Sequence, residues 1–340
     1  MANFTPSNLV KAQARLAKQF EAGEMRMKPW AGLTTALKNT EMIIPSHQTL
    51  RTREDRSVSA YVLARTSRSA GTARSATHAG NRGDSFEVAL TWATYTDKFS
   101  ISLKQMDNNI FAFDEAFAQQ ILNASINLHE AIETGAINHL MTARSTGSNT
   151  LKGATFNATP DAVEVSLANS DRFWQIIKST MRQNYFTGAL DVIADSIKYM
   201  DAERLGAQGT GNSTNQGYQF QGLNIIESVE LTDADYANGC ALVMPSGSFG
   251  VLPWIPKQNR TGWGDFNSYV GGYGSIADPL GTGLEFAVHG YAARNDASAS
   301  NGDVQDVLLE FELSVDLAFQ TSPLSTAGRS VVYEYGQLAV

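Results

Sequence analysis

Apolar residues recur at steps of three or four from Asp107 to Ala143. Ile110, Phe113, Phe117, Ile121, Ala124, Leu128 and Ala131 fall on one stripe, and Leu122, Ile126, Ile137, Leu140 and Met141 widen it. This is the pattern of a helix with one buried face. Asp107 or Asp114 can cap its start, and no proline interrupts it. The polar run after Ala143, with Gly147 suited to a left-handed turn, ends it. A helix over 107–143 would span roughly 55 Å at ~1.5 Å per residue, long beside an average helix of about 11–12 residues. Such a helix serves as a spine on which other elements are hung. The competing reading breaks it in two near Gly135. A second pattern has period two. From Val304 to Phe319, Leu309, Phe311, Leu313, Val315, Leu317 and Phe319 point one way, and Glu310, Glu312, Ser314 and Asp316 the other. That predicts a strand with one face packed on the spine helix and the other an acidic strip.

Weaker patterns fill in the rest. Residues 6–22 predict a short basic amphipathic helix, with Leu9, Leu16 and Phe20 on its apolar stripe. Met25, Met27, Trp30, Leu33 and Leu37 follow without a clean period, so residues 1–46 read as an arm that buries too little to fold alone. Residues 47–88 alternate weakly around Val58–Ala64, pass through a run of Ser, Ala, Gly, Thr and Arg, and regain strand character at Phe86, Val88, Leu90 and Trp92, then at Phe99, Ile101 and Leu103. Two strands with a small-residue tip make a long projecting hairpin, marginal by itself. Beyond the spine, Ser170 is placed to cap a helix with Trp174, Ile177, Met181 and Tyr185 on one face, stopped by Gly188. A strand at Leu190–Ile193 follows, then a helix capped by Asp195, with Ile197, Met200 and Leu205 inward and Gly206 closing it. Strands are expected at Leu223–Val229, Cys240–Met244, Phe249–Trp254, Leu284–Ala292 and Val331–Tyr335. The mixture is α+β, with the helix–strand–helix unit opening an α/β lobe.

Composition narrows the function classes. The chain has 340 residues, 43% hydrophobic and 18% charged, which is globular rather than disordered. One cysteine, Cys240, excludes an intrachain disulfide framework. No signal peptide is evident, and no apolar run approaches the ~18 residues of a membrane span, so a soluble protein made in the cytosol is expected, with no membrane partner. Net charge is −8 and unevenly spread. Residues 1–82 hold 13 Lys/Arg against 5 Asp/Glu, or +8, while residues 83–340 hold 13 against 29, or −16. Such asymmetry suggests a basic arm and an acidic partner surface. Arg51, Arg53, Arg56, Arg65, Arg68, Arg74 and Arg82 are therefore the candidate intersubunit contacts. The segment lacks the interleaved aromatics of a single-strand nucleic-acid platform and any reading helix.

Catalytic chemistry finds no foothold. His129 and Glu133, four apart, share a helix face as two metal ligands might be arranged, but His139 lies well round the helix and no His-Glu-x-x-His spacing exists; solvated helix polarity is the expected reading. Gly206–Gly211 lacks the Lys-Ser/Thr and following helix of a phosphate loop. Gly247-Ser248 fails the Gly-x-Ser-x-Gly spacing. Cys240 sits among Ala241, Leu242 and Val243, as an inert buried thiol would. No catalytic residue, metal site or cofactor is expected.

The order of parts resembles the major capsid protein family of tailed bacteriophages, with its Hong Kong 97-like capsid fold. The resemblance rests on Phe86–Leu103 running into Asp107-Asn-Asn and the spine, on Asp191-Val-Ile-Ala-Asp195 before a helix, on Gln221-Gly222-Leu-Asn-Ile-Ile-Glu-Ser228, and on the terminal strand from Leu308 to Phe319. It covers essentially the whole chain. It implies an N-arm at 1–46, an extended loop at 47–88, a peripheral domain at 89–169 with its spine helix at 107–143, a mixed α/β axial domain at 170–303, and terminal strands at 304–340 that return to both domains. The implied function is architectural: hexamers and pentamers closing into an icosahedral shell around packaged double-stranded DNA, contacted non-specifically, in the virion, after synthesis and assembly in the host cytoplasm. Scaffolding, portal and decoration proteins are the further partners implied. An encapsulin-like nanocompartment is the alternative within the fold, and a hydrolase or metal-dependent enzyme with an Arg-rich lid the alternative outside it.

Two departures from family habits are expected. About 46 residues before the loop are too few for a cleaved scaffold segment, so a separate scaffolding protein, or none, is expected. Some members crosslink through a lysine in the extended loop, and residues 47–88 contain none. Mature particles should therefore run as single subunits on a denaturing gel; ladders of linked subunits would contradict this.

Overall fold

The computed structural model describes residues 27–43, 47–54, 56, 59–63, 85–102, 113–208, 220, 222–266, 268–295, 306–322 and 329–339, together with 14, 15 and 18. In chain order the elements are α1 (Ala31–Ile43), α2 (His47–Arg51), β1 (Ser59–Leu63), β2 (Ser85–Ala89), β3 (Ala93–Ser102), α3 (Phe113–Thr142), β4 (Ala154–Asn157), β5 (Ala162–Val165), α4 (Phe173–Gln183), β6 (Leu190–Ala194), α5 (Ser196–Gln208), β7 (Leu223–Glu227), β8 (Cys240–Pro245), β9 (Phe249–Trp254), α6 (Lys257–Thr261), β10 (Trp263–Asp265), β11 (Gly271–Ala277), β12 (Glu285–Asn295), β13 (Asp306–Thr321) and β14 (Tyr333–Gln337). The expected helix at 6–22 lies almost wholly outside the described residues.

Two six-stranded sheets organise the body. The first is antiparallel, in the order β10-β11-β12-β13-β3. β13 is its centre: β3 pairs along one edge over Leu308–Leu317, while β12 and then β9 share the other. The second sheet, β4-β5-β14-β8-β6-β7, is mixed, with β14–β5 and β6–β7 parallel. β1 and β2 form a separate two-stranded ladder from Ser59↔Ala89 to Leu63↔Ser85, the expected hairpin; its tip lies outside the described residues. The sheets draw strands from both sides of the expected divisions at 169/170 and 303/304. β9 to β12 join the first sheet with β13, and β4 and β5 join the second with β14.

α3 is one continuous helix of 30 residues. Phe117, Ile121, Ala124 and Leu128 are buried as expected, and the stripe then runs through Ile132, Ala136 and Leu140 rather than Ala131. It lies on the apolar face of β13, where Phe117 meets Phe311 edge-on at 5.0 Å and Phe99 of β3 stacks on Phe311 at 5.3 Å. Gly135 does not break the helix. The Tyr95 hydroxyl of β3 occupies the place of its side chain, since a Cβ there would lie 1.9 Å from that oxygen. Glycine is the residue that lets strand and helix approach so closely.

Several local expectations fail for identifiable reasons. Gly147 does not take a left-handed conformation; its carbonyl accepts a hydrogen bond from Arg329, whose guanidinium lies 3.4 Å from where a Cβ would be. Ser170 lies inside a 3-10 turn, Leu167–Arg172, and does not cap α4. Tyr185, at φ 71°, terminates α4 and is 76% exposed, so it leaves the face shared by Trp174, Ile177 and Met181. In α5, Ile197 and Met200 point outward and Lys198 is buried. Asp195 does cap this helix, accepting the Lys198 N–H at 2.8 Å, and also accepts the Cys240 N–H at 3.1 Å. Those bonds orient α5 so that Lys198 turns inward, where its ammonium meets Asp201 at 3.0 Å, Gln337, and the Phe173 ring at 4.7 Å. Part of the expected arm also belongs to the body: Ala31, Leu33 and Ala36 of α1 are buried in the main core.

Arg144, just past α3, ties the spine to the second sheet. Its guanidinium pairs with Glu334 of β14 and lies 3.7 Å from Asp233, and its backbone bridges Val332. Burial pushes the Glu334 carboxyl up to about 7; Arg144 opposes the shift and Asp233 reinforces it.

Two expectations follow. Gly135→Ala should destabilise the chain by roughly 1–3 kcal/mol, the usual cost of overpacking, although an exposed helical Gly→Ala gains about 1 kcal/mol. In a Tyr95→Val background the same substitution should turn neutral or stabilising, as read from urea midpoints. Glu334 titrates higher folded than unfolded, so its stabilising contribution is complete below its ordinary value of 4.5 and is lost as pH rises through about 7. Glu334→Gln should abolish that part of the decline; equal pH slopes for both chains would refute the assignment.

Candidate subunit-contact surface

The base of the extended hairpin is clamped to the first sheet by its own backbone. Segment 51–56 has little apolar surface, so burial does not hold it. Instead the Trp254 indole N–H of β9 donates to the Arg53 carbonyl at 2.8 Å, and the Trp92 indole N–H to the Arg56 carbonyl at 2.7 Å. Arg260 of α6 donates to the carbonyls of Arg53 at 2.9 Å and Arg51 at 3.4 Å. Lys257 pairs with Glu54. Arg51, Thr52, Trp254, Arg260 and Glu285 line a cavity of about 220 Å³ at this junction. The sequence marks both tryptophans only as apolar positions; an indole donor at the edge of a packed ring leaves no periodic signal.

Of the seven candidate arginines, three lie among the described residues. Arg51 stands 4.0 Å from Glu285. Arg53 is exposed and held by its carbonyl. Arg56 reaches Asp316 at 3.3 Å, contacts the Thr94 hydroxyl at 3.5 Å, and lies over the Trp254 ring at 5.6 Å. Arg51 and Arg56 are thus engaged within their own chain. Arg65, Arg68, Arg74 and Arg82 lie outside the described residues.

The acidic strip of β13 is present and already partly partnered. Glu310 accepts the Tyr291 hydroxyl hydrogen bond, and Glu312 pairs with Lys98 at 3.2 Å. Strand register sets these groups in rows across the sheet. Lys98, Glu312, His289, Tyr273 and Trp263 stand side by side on five strands. Tyr273 and His289 stack at 4.5 Å. Two positions along lie Ser100, Glu310 and Tyr291. A groove of about 300 Å³ runs between Lys98, Ser100, His289, Tyr291, Glu310 and Glu312.

The histidine and glutamate of α3 are not solvated helix polarity. His129 and Glu133 are 0% and 1% exposed. His129 Nε2 lies 2.9 Å from Asp278 Oδ2, and its ring stacks on Trp30 at 4.4 Å. Burial raises the Asp278 carboxyl, but hydrogen bonds from His129, Thr282 and the Leu280 N–H outweigh it and the net direction is down. Glu133 accepts the N–H groups of Gly32 and Leu33, each at 2.9 Å, and the Ser228 hydroxyl at 3.3 Å. It serves α1 as a cap supplied by another helix. The two side chains therefore face different partners and do not form a ligand pair. Cys240 is buried, and burial, with Asp195 nearby, pushes its thiol up, which keeps it unreactive.

No protein-family profile matches the chain, and no curated protein matches it. Solved structures do. A chain of the capsid asymmetric unit of cyanophage Pam1 superposes with a TM-score of 0.50 at 11% identity, covering 93% of this chain and 94% of that one. A chain from Mycobacterium phage Adephagia gives 0.50 at 10% identity, covering 93% and 92%. The spine helix, the separate β1–β2 ladder and the two sheets thus make up, over nearly the whole chain, the Hong Kong 97-like capsid fold.

Proposed function

We propose that this chain is a major capsid protein, many copies of which assemble as hexamers and pentamers into an icosahedral shell around packaged phage DNA. The observation that carries the reading is the end-to-end match with a chain of the cyanophage Pam1 capsid asymmetric unit, which leaves little of either chain unaccounted for. The body supports it. The β1–β2 ladder stands on a clamped base and pairs with neither six-stranded sheet, an arrangement sensible against a neighbour. The charge split, +8 before residue 83 and −16 after it, supplies attraction between copies. In this reading 1–46 is the arm, with α1 packed into the body, and 47–88 the extended loop. The peripheral and axial domains expected at 89–169 and 170–303 exchange strands, β9 to β12 joining β3 and β13, and β4 and β5 joining β6 to β8 and β14. Shell closure by repeated heterologous contacts is the mechanism. The role is architectural and uses no cofactor; the product is a virion shell, assembled in the host cytoplasm, to which scaffolding, portal and decoration proteins attach.

Sedimentation velocity with electron microscopy of the purified chain, across concentration and salt, tests this. Closed shells or rings of five and six are expected, with nucleic acid inside particles taken from infected cells. Shells that hold a protein cargo and no DNA would favour the nanocompartment. A compact monomer in every condition, with and without co-expressed scaffold, would refute the reading.

A further inference from the structure

Two guanidinium groups meet at the cavity of about 220 Å³ beside the hairpin base. Arg51 of α2 and Arg260 of α6 both line it, with Trp254, Ile255 and Glu285. A water needs only about 10–15 Å³ of such space, so the cavity has room for a small polyatomic ligand. Arg260 is fixed in place: Nη1 donates to the Arg51 carbonyl at 3.4 Å and Nη2 to the Arg53 carbonyl at 2.9 Å. Its Nε–H is buried and meets no acceptor among the described residues. A buried donor without an acceptor is costly, and a guanidinium presents its donors as a fork that suits an oxyanion. Arg51 pairs loosely, 4.0 Å from Glu285, and both side chains are partly exposed. The lining thus sets two cations against one carboxylate, while the neighbouring Lys257 and Arg56 are paired with Glu54 and Asp316.

We infer that this cavity binds a small tetrahedral oxyanion of the phosphate class, held between the Arg260 Nε–H and the Arg51 guanidinium. Glu285 is the competing group: an anion that takes Arg51 turns Glu285 toward solvent, where its side chain is already 39% exposed. The ligand bridges α2 to α6 and so reinforces the clamp that Arg260 makes on the carbonyls of Arg51 and Arg53. The phosphate is either free or part of a nucleic-acid backbone, since both present the same oxygens to a guanidinium fork. The inference goes beyond the shell reading and stands without it.

Inorganic phosphate titrated into the full-length chain at constant ionic strength tests this. The readout is broadening of the phosphorus NMR line, because a higher melting temperature would also follow from the general stabilising effect of phosphate. The wild-type chain should bind saturably. Arg51→Gln should weaken binding about tenfold, the size of one lost charge-assisted hydrogen bond. Glu285→Gln removes the competitor and should tighten binding, with unchanged circular dichroism. If Arg51→Gln fails to fold, Glu285→Gln decides alone: tighter binding supports the site and unchanged affinity overturns it. Short duplex DNA added to the same titration separates the sources. Displacement of phosphate that depends on Arg51 assigns the site to a nucleic-acid backbone, and no displacement assigns it to a free anion. No saturable phosphate binding by the wild-type chain, or equal binding by wild type and both variants, overturns the inference and leaves the shell reading untouched.

Discussion

Strand β13 is the constraint on which the rest of the molecule depends. It is 16 residues long and hydrogen-bonded on both edges, with β3 along one side and β12 followed by β9 along the other. Its alternation gives its two faces different tasks. Leu309, Phe311, Leu313, Val315 and Leu317 are all at most 5% exposed, and this face supports the spine helix. At about 1.5–3 kcal/mol for each large apolar side chain fully buried, this face is a major contributor to the common core. Its opposite face is acidic, and an acidic face on a fully paired strand cannot be relieved by bending; it must be neutralised by groups brought to it. Lys98, Tyr291 and Arg56 come from three different elements to do so.

The spine helix is held in register by buried polar groups as well as by its stripe. Apolar packing alone tolerates sliding by a turn, because Ile, Leu and Ala are interchangeable neighbours at low cost. Glu133 removes that freedom: its carboxylate ends where the first N–H groups of α1 point, and Gly32 lets the helix start come close enough. One turn away, His129 fixes the loop at Asp278. A buried charge or hydrogen-bonded acid left without its partners costs far more than the pair contributes when made, so these contacts select one arrangement more than they add stability.

Those same residues mark where sequence reading succeeded and where it stopped. The period of three to four and the period of two are one-dimensional records of burial, so α3, β13 and the order of the strands were legible. Asp195 as a cap was legible because its partner is three residues away. What stayed hidden depends on partners distant in sequence. Glu133 reads as polar helix surface until α1 arrives 100 residues earlier in the chain. Lys198 reads as exposed, and Ile197 and Met200 as core, until Asp195 and Gln337 set the roll of α5. Gly135 reads as a break until Tyr95 fills its place. Of the candidate arginines, the charge bias was visible, but not that Arg51 and Arg56 pair within their own chain, nor that two tryptophans and Arg260 grip the backbone beside them.

That division of labour bears on how the loop is used. The base of the hairpin is held by indole and guanidinium donors on the carbonyls of Arg51, Arg53 and Arg56, beside a small apolar cluster of Leu90, Leu252 and Ala318 on which Leu50 and Trp92 pack. Indole and guanidinium donors hold carbonyls, which every residue has, so the side chains of 51–56 are released from holding the segment in place. Arg56 then settles on Asp316 and Trp254. Contacts of that kind are individually weak where solvent reaches them, with exposed ion pairs typically at about 0–1 kcal/mol and screened by salt. In the proposed shell, weak contacts repeated over many copies would let misplaced subunits leave and correct ones accumulate. The apolar face of β13 anchors the core, and its acidic face, one residue out of phase, draws the side chains of Arg56, Lys98 and Tyr291 onto the sheet.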